Sequence, residues 1–264
     1  MKMRELNGSE LAGFIKERQS HQTHSLRGRK LLILRDNPSP VIEKYVSLKV
    51  RYGEDIGLTV EDRLVADPAA LASAIKSANV DPAVAALIVQ LPLASATPEE
   101  TQALLDQIAP EKDVDGLGTH AKFDSATATA INWLLAGYDI NLAEAKIAIV
   151  GRGKLVGAPL ARMYADSGYD VTVFHRGSDL ADLKNYDVII TATGVPGLIT
   201  SAMVAPGTVV VDAGTASEKG ILKGDVADDL RDRTDLRALT PRLGGVGPLT
   251  VATLFEHVLI AARG

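Results

Sequence analysis

The sequence predicts an α/β protein with two α/β domains built on parallel sheets. Three observations support this fold class. Short apolar segments, typical of buried strands, alternate with segments of helical periodicity, which favours right-handed strand–helix–strand units. A glycine-rich turn joins one strand to a helix in the second half of the chain. The chain has 264 residues, enough for one large domain or two medium-sized ones.

In the first hundred residues, capping signals set several element boundaries. Asp67 is a predicted N-cap with Pro68 at the first helical position, and Thr97 with Glu100 has the spacing of a capping box. Gly57 is expected to end the helix before it. Strands are predicted at residues 30–35 and 84–89, and helices at residues 6–19, 41–56, 69–78 and 97–108.

The second half of the chain repeats the same alternation. The predicted helix after the glycine-rich turn stops at Gly168, and the last helix is strongly apolar and must pack against the protein. Strands are predicted at residues 146–150, 169–174, 187–193 and 208–212, and helices at residues 127–135, 158–167 and 249–263.

Composition excludes several classes of protein and site. The net charge of −5 argues against a nucleic-acid or anionic-membrane surface. The chain has no cysteine, which rules out disulfides and thiolate metal sites, and its five histidines lack metal-ligand spacing. The N-terminal residues lack an apolar signal core, and no segment approaches the pattern of a membrane span. We therefore expect a cytoplasmic protein with no metal, nucleic-acid or membrane partner.

The glycine-rich turn is a candidate phosphate-binding loop. It carries Gly151, Gly153 and Gly157 between an apolar strand and a helix. Such a turn gathers backbone N–H groups at the positive end of a helix, which suits a pyrophosphate. The spacing is one residue longer than the dinucleotide-binding fingerprint, so a turn that serves only chain geometry remains an alternative.

The residues after the next strand favour NADP over NAD. NAD-selective domains carry an acidic residue there to hold the ribose 2′-hydroxyl. This chain has Arg176 at that place, and Arg152 lies within the glycine loop. The two guanidinium groups could pair with a 2′-phosphate, and two solvated surface arginines are the less favoured alternative. Four further residues complete the predicted cofactor site: Val156, His175, Thr193 and Gly194.

Candidate catalytic residues lie where ligands bind in parallel sheets, beyond the carboxyl ends of strands. Gln90 follows one strand, and Asp115 lies in the loop after the next helix. Lys49 lies one turn after Tyr45, so both side chains share a helix face. A solvated lysine and a turn-forming aspartate are the plain alternatives.

Five motifs occur in one order over nearly the whole chain, at residues 45–49, 89–93, 112–116, 151–159 and 240–250. Their residues and separations resemble those of the methylenetetrahydrofolate dehydrogenase/cyclohydrolase family. The resemblance implies a folate-binding catalytic domain, residues 1–121 and 246–264, to which the C-terminal helix returns. A Rossmann-type NADP-binding domain would occupy residues 122–245, and the folate would lie in a cleft between the two.

The resemblance implies a two-step enzyme and, by family analogy, a homodimer. It would oxidise 5,10-methylenetetrahydrofolate with NADP and hydrolyse the methenyl product to 10-formyltetrahydrofolate. Lys49 would be the central catalytic group and Gln90 its hydrogen-bonding partner. Tyr45 would stack on the aminobenzoate ring, and Asp115 would hold the pterin. The turn that contains Gly244, Gly245 and Pro248 would line the substrate site.

Three other functions remain open from the sequence. A monofunctional dehydrogenase of the same family would use the same residues, because Lys49 influences both steps. A shikimate-type dehydrogenase would explain the glycine loop but not Tyr45, Gln90 or Asp115. A catalytically silent NADP-binding protein is conceivable because the segment after Asp115 is shorter than in the resembled family, which should reshape one wall of the folate cleft.

Overall fold

The chain forms two compact units. The computed structural model describes residues 3–26, 28–218 and 221–263. The first unit comprises Gly13–Ala126 and the described part of Val251–Gly264; the second comprises the described part of Met1–Ala12 and Thr127–Thr250. The division thus differs from the expected one at the N-terminus. A short strand there, Arg4–Glu5, pairs with Ala238–Leu239 and so extends the sheet of the second unit, to which the first residues therefore belong.

The described strands and helices follow in chain order. The strands are β1 (Arg4–Glu5), β2 (Lys30–Arg35), β3 (Thr59–Leu64), β4 (Val84–Val89), β5 (Ile147–Val150), β6 (Val171–Phe174), β7 (Val188–Thr191), β8 (Val209–Asp212), β9 (Ala216–Glu218), β10 (Ile221–Lys223) and β11 (Ala238–Leu239). The α-helices are α1 (Gly8–Ser20), α2 (Pro40–Ile56), α3 (Pro68–Val80), α4 (Pro98–Leu105), α5 (Ala126–Gly137), α6 (Gly157–Asp166), α7 (Asp228–Arg231) and α8 (Val246–Arg263). Short 3₁₀ helices cover Thr23–Leu26, Leu180–Asn185 and Ser201–Met203.

The first unit contains a parallel three-stranded sheet in the order β3-β2-β4. Strands β2 and β4 are apolar and buried, and they pack with α3 and α4 around Leu32, Leu71 and Leu87. The sequence reading missed β3, because Thr59–Leu64 is a charged edge strand with mostly exposed side chains and no apolar alternation.

The second unit contains a six-stranded sheet in the order β1-β11-β8-β7-β5-β6, with every pair parallel. The chain leaves β5 toward β6 and returns to the other side of β5 as β7. This reversal creates a topological switch point at the carboxyl end of β5, the place where open α/β sheets bind ligands. The two-domain, parallel α/β fold class is thus confirmed.

Local signals placed the helices well. Asp67 accepts a hydrogen bond from the backbone N–H of Ala70 at 2.8 Å. Thr97 and Glu100 form both bonds of a capping box at the start of α4. Gly57 ends α2 in the left-handed conformation, with φ of 76°. The predicted boundaries therefore agree with the observed ones to within a few residues.

The last helix, α8, differs from the expectation that no segment approaches the pattern of a membrane span. By length and composition alone it could cross a membrane, although 56% of it is buried inside the protein. From Val251 onward it belongs to the first unit, where Phe255, Val258 and Leu259 are fully buried. The apolar face of α8 therefore packs in the core of the first unit.

Candidate functional site

The first cluster of predicted site residues lies in the first unit, at the carboxyl end of β4. Helix α2 begins after Ser39, which accepts a hydrogen bond from the N–H of Ile42, and Pro40 is its first residue. Lys49 projects from this helix, and its Nζ donates to Gln90 Oε1 at 2.6 Å. The amide of Gln90 is itself oriented, because its Nε2 donates to the carbonyl of Leu91 at 2.9 Å.

Asp115 reaches the same place through a loop that runs beside β4. The N–H of Leu87 donates to the Lys112 carbonyl at 2.8 Å, and Leu87 forms a parallel bridge with Asp113. Asp113 is the turn former of the pair: its carboxylate accepts from the N–H groups of Gly116 and Gly118 at 3.1 and 2.7 Å. The carboxylate of Asp115, in contrast, interacts electrostatically with the ammonium group of Lys49.

Burial and charge act against each other in this cluster. Burial lowers the pKa of Lys49, and the negative charge of Asp115 opposes the shift. Burial raises the pKa of Asp115 to about 6, while the charge of Lys49 lowers it and that of Asp113 raises it further. A lysine that loses its proton more easily can act as a general base. Tyr45 lies one helical turn before Lys49 and is half-buried.

Two residues just after β2, Asp36 and Asn37, fix the segment after Gln90. Asp36, at the end of β2, accepts from the N–H of Ala94 at 2.8 Å and from the Ser95 hydroxyl at 2.5 Å. Asn37 Nδ2 donates to the Pro92 carbonyl at 3.2 Å. An Asp-Asn-Pro run is typical of a turn, but its hydrogen-bond partners here lie 55–59 positions away in the chain, so no local pattern identifies them.

His257, on α8, also escaped the sequence reading. Its Nδ1 lies 2.9 Å from the carbonyl oxygen of Val114, the residue just before Asp115. Its ring stacks on Phe123, with centroids 4.8 Å apart. Burial lowers the pKa of His257, which favours the neutral imidazole. The shortened segment after Asp115 is thus anchored to the last helix through this ring pair.

The second cluster lies in the second unit, around the glycine turn. Gly151 has a φ of 114°, which residues with side chains rarely adopt. A Cβ on Gly157 would lie 2.2 Å from the carbonyl oxygen of Gly151. The first residue of α6 must therefore be glycine for the helix to start this close to the turn. The N-cap residue of α6, Val156, makes no side-chain cap. The Ala158 N–H donates to the Gly153 carbonyl at 3.0 Å and Pro159 has no N–H, so it is the positive end of the α6 dipole, with the N–H of Gly157, that suits an anion.

One arginine lies within this turn and another beside it. Val150 pairs with Phe174 in the parallel register of β5 and β6. Arg152 and Arg176 each follow these paired residues by two positions, and both are exposed. His175 is exposed as well, and its N–H donates to the Ser178 hydroxyl at 3.0 Å. The sheet thus places two cationic side chains near one edge of the glycine turn.

The loop after β7 forms another wall of this cluster. A Cβ on Gly151 would lie 2.6 Å from the Ala192 carbonyl oxygen and 3.4 Å from Thr193 Cγ2, so the loop lies directly against the glycine turn. Gly194 follows with a φ of 68°. The predicted cofactor residues are therefore gathered at the switch point of the sheet.

The glycine turn before α8 belongs to the second unit. Gly244 accepts a hydrogen bond through its carbonyl from the N–H of Ser9 at 2.9 Å. The Gly245 carbonyl oxygen would lie 1.9 Å from a Cβ on Gly8, so the turn packs tightly on the start of α1. Pro248 is partly exposed in the first turn of α8. Within the described residues, no group of three or more His, Asp or Glu side chains could hold a metal ion.

Comparisons with known proteins agree over nearly the whole chain. Residues 6–115 match the model of the tetrahydrofolate dehydrogenase/cyclohydrolase catalytic domain, and residues 125–264 match that of the NAD(P)-binding domain. The chain is 33% identical over 279 residues to the bifunctional protein FolD of Staphylococcus epidermidis, covering 98% of this chain and 96% of that one.

Comparison with solved structures also finds similarity to bifunctional FolD enzymes. The bifunctional FolD enzyme of Campylobacter jejuni is 30% identical, with a TM-score of 0.90 over 99% of both chains. The FolD of Trypanosoma brucei, complexed with NADP cofactor and inhibitor, is 26% identical, with a TM-score of 0.90 over 100% of this chain and 98% of that one. Shikimate 5-dehydrogenase of Thermus thermophilus, at 17% identity and a TM-score of 0.55 over 89% of this chain and 98% of that one, shares the fold alone.

Proposed function

The chain belongs to the tetrahydrofolate dehydrogenase/cyclohydrolase family, and on this premise we propose that Lys49, Gln90 and Asp115 perform its chemistry. The enzyme oxidises 5,10-methylenetetrahydrofolate to the 5,10-methenyl form with NADP, and then hydrolyses that product to 10-formyltetrahydrofolate. The observation that carries the residue assignment is the contact of Lys49 with Gln90, within the field of the Asp115 carboxylate.

The second unit fits NADP. The close approach of Gly157 to Gly151 brings the glycine turn against the positive end of α6, where a phosphate would be stabilised. Arg152 and Arg176 would pair with a 2′-phosphate, and Val156, His175, Thr193 and Gly194 would line the rest of the site. When bound, the cofactor supplies the hydride acceptor of the first step.

The oxidation needs little acid–base help. The carbon that loses hydride lies between two nitrogens, whose lone pairs stabilise the cation as it forms. The task of the protein is therefore to bind and orient the folate. Asp115 offers two carboxylate acceptors to the donor edge of the pterin. Tyr45 would stack on the aminobenzoate ring, and Gly244, Gly245 and Pro248 would contact the substrate.

Hydrolysis makes a stronger demand on the protein. Water must lose a proton as it adds to the cationic carbon, and a neutral Lys49 would accept that proton. Burial already lowers the pKa of Lys49, and a bound cation would lower it further. Gln90 holds the lysine without adding charge, whereas a carboxylate at this place would favour the protonated form.

Absorbance spectroscopy tests the assignment. Methylenetetrahydrofolate is added with NADP or with NAD, and the methenyl product is followed. We expect faster oxidation with NADP and only transient methenyl product. Persistent methenyl product would identify a monofunctional dehydrogenase. Activity with shikimate but not with the folate would identify a shikimate-type enzyme, and NADP binding without folate binding would identify a silent protein.

We further propose that the enzyme is a homodimer. Strand β3 lies at the edge of its sheet, and four of its six side chains are exposed. Such an edge offers unpaired backbone groups to a second copy of the chain. Sedimentation analysis of the purified protein tests this; a monomer at micromolar concentration would contradict it.

The remaining expectations stay proposals. We propose a cytoplasmic enzyme that acts without nucleic acid or membrane. The net charge of −5 supports this, because it disfavours anionic surfaces. Cell fractionation and binding assays with DNA, RNA and anionic vesicles test it; retention on any of these would contradict the proposal.

A further inference from the structure

Asp225 is a fully buried carboxylate that no step of the proposed reaction uses. It lies in the second unit, after β10, and it faces the carboxyl end of β7. Its Oδ2 accepts two hydrogen bonds of 2.6 Å, one from the Thr191 hydroxyl and one from the backbone N–H of Thr193. Charge-assisted bonds to a backbone N–H are strong and directional.

Asp225 is itself held in place from several sides. Its backbone N–H donates to Asp212 Oδ1 at 3.0 Å, and Asp212 is ion-paired with Arg231 at 2.5 Å. A Cβ on Gly214 would lie 2.1 Å from the Asp225 carboxylate, so this glycine is needed for the carboxylate to fit. The side chain therefore has little freedom to leave the N–H of Thr193.

The contacts of Asp225 are not those of a residue that mainly adds stability. Its Oδ1 is buried and has no hydrogen-bond partner in the described part of the chain. A buried polar atom without a partner costs free energy. The carboxylate is retained despite that cost, and both of its side-chain bonds go to the strand end and loop that adjoin the glycine turn.

We propose that Asp225 is a positioning residue for NADP binding. By fixing the N–H of Thr193, it sets the turn through Gly194, where the Thr193 hydroxyl accepts from the N–H of Val195 at 3.1 Å. This turn lies against Gly151. The inference rests on the proposed function, in that Thr193 and Gly194 belong to the cofactor site. Without the carboxylate, the N–H of Thr193 loses its hydrogen-bond acceptor. The turn through Thr193 and Gly194 is then less rigidly held in the position that binds the cofactor.

The test compares the parent with D225A, D225N and T191V. Calorimetry gives the Kd of NADP, and steady-state assays give its KM and the dehydrogenase kcat. The melting temperature of each variant controls for folding of the second unit, and cyclohydrolase activity, measured without NADP on methenyltetrahydrofolate, shows whether the effect is confined to NADP. D182A removes an exposed carboxylate from the same unit and is the matched control.

We expect D225A to raise the Kd and KM of NADP about tenfold, the size of one hydrogen bond of about 1.4 kcal/mol, with kcat and cyclohydrolase activity retained. D225N should recover most of the affinity, because its amide oxygen can accept both bonds. T191V should have a smaller effect, since it removes only one. If the carboxylate acted through charge alone, D225A and D225N would both bind the anionic cofactor more tightly, which would overturn the proposal.

A parental Kd in folded D225A would also overturn it, as would a parallel loss of cyclohydrolase activity, which marks a general structural role. If D225A does not fold, G214A displaces the same carboxylate, and an unchanged Kd there would be equally decisive. A parent that does not bind NADP at all would refute the proposed function before any variant is compared.

Discussion

Lys49 Nζ lies 2.6 Å from Gln90 Oε1, although the two residues are 41 positions apart in the chain. One comes from a helix and the other from the end of a parallel strand. The pairing gives a partly buried lysine a neutral partner, with the charge of Asp115 nearby. A lysine in such surroundings can lose and regain its proton within one catalytic cycle.

Lys49→Met should abolish hydrolysis of methenyltetrahydrofolate while leaving NADP binding intact. The loss of a general base is expected to lower the rate by about 10²–10⁴-fold. A stopped absorbance assay on the methenyl compound measures it. Lys44→Met, which removes an exposed lysine from the same helix, is the control. Parental hydrolysis by Lys49→Met would remove the basis of the mechanism.

Gln90→Glu should shift the pH profile of hydrolysis. A carboxylate next to Lys49 favours its ammonium form and raises its pKa, so half-maximal activity should move to higher pH by about one unit or more. The rate is measured across the pH range for the variant, the parent and Gln107→Glu, which adds the same charge at an exposed site. An unshifted profile would mean that Lys49 does not act as the base.

Asp115→Asn should alter the pH dependence of stability. The pKa of Asp115 rises from 3.8 to about 6 in the folded protein. Between these values the folded state holds more protons than the unfolded state, so Asp115 makes stability fall as pH rises through this window. At pH 7 the variant should be more stable than the parent, by up to about 3 kcal/mol.

Urea denaturation of the parent and of Asp115→Asn at about pH 4 and about pH 7 measures this difference, which should shrink at the lower pH. Asp182→Asn, at an exposed position, serves as the control. A variant less stable than the parent at neutral pH would show that the charge of Lys49 outweighs the cost of burial.

Arg176→Ser should weaken NADP selectively. Loss of a charge-assisted bond to the 2′-phosphate should raise the KM of NADP about tenfold or more, with little change for NAD. Steady-state kinetics with both cofactors give the ratio. Arg162→Ser is the control, because it removes an exposed arginine from α6. Equal effects on both cofactors would place Arg176 away from the 2′-phosphate.

Gly157→Ala should disrupt the glycine turn. The added Cβ would lie 2.2 Å from the Gly151 carbonyl oxygen, so the start of α6 must shift and NADP affinity should fall. Gly13→Ala is the control, since its Cβ meets nothing within 4 Å. Calorimetry with NADP measures the effect, and unchanged affinity would show that the turn adapts without loss.

Local sequence signals predicted most of the helices and the buried strands. The capping box at Thr97 and the N-cap at Asp67 act over three or four residues, so a single sequence contains all that is needed to find them. Strand β3 was missed because its exposed, charged residues carry no periodic signal, and only its pairing with β2 makes it a strand.

The site was predicted in part by pattern and in part by resemblance. The position of the glycine turn between an apolar strand and a helix indicated one binding region, while its spacing is one residue longer than the dinucleotide-binding fingerprint. Lys49, Gln90 and Asp115 could not be joined by any local rule, and their assignment depended on the resemblance. His257 and Asp225 carried no local signal, because their partners lie 143 and 32–34 positions away in the chain.

The sequence by itself determined which segments are helices and buried strands, where most of them are capped, and which family the motifs resemble. These properties follow from apolar periodicity and from bonds between near neighbours in the chain. Only the tertiary structure decided that the first residues join the second unit, that Asp113 forms a turn while Asp115 faces the charge of Lys49, and that Asp225 supports Thr193. Such relationships depend on strand order and burial, which bring distant residues together and set the cost of each charge.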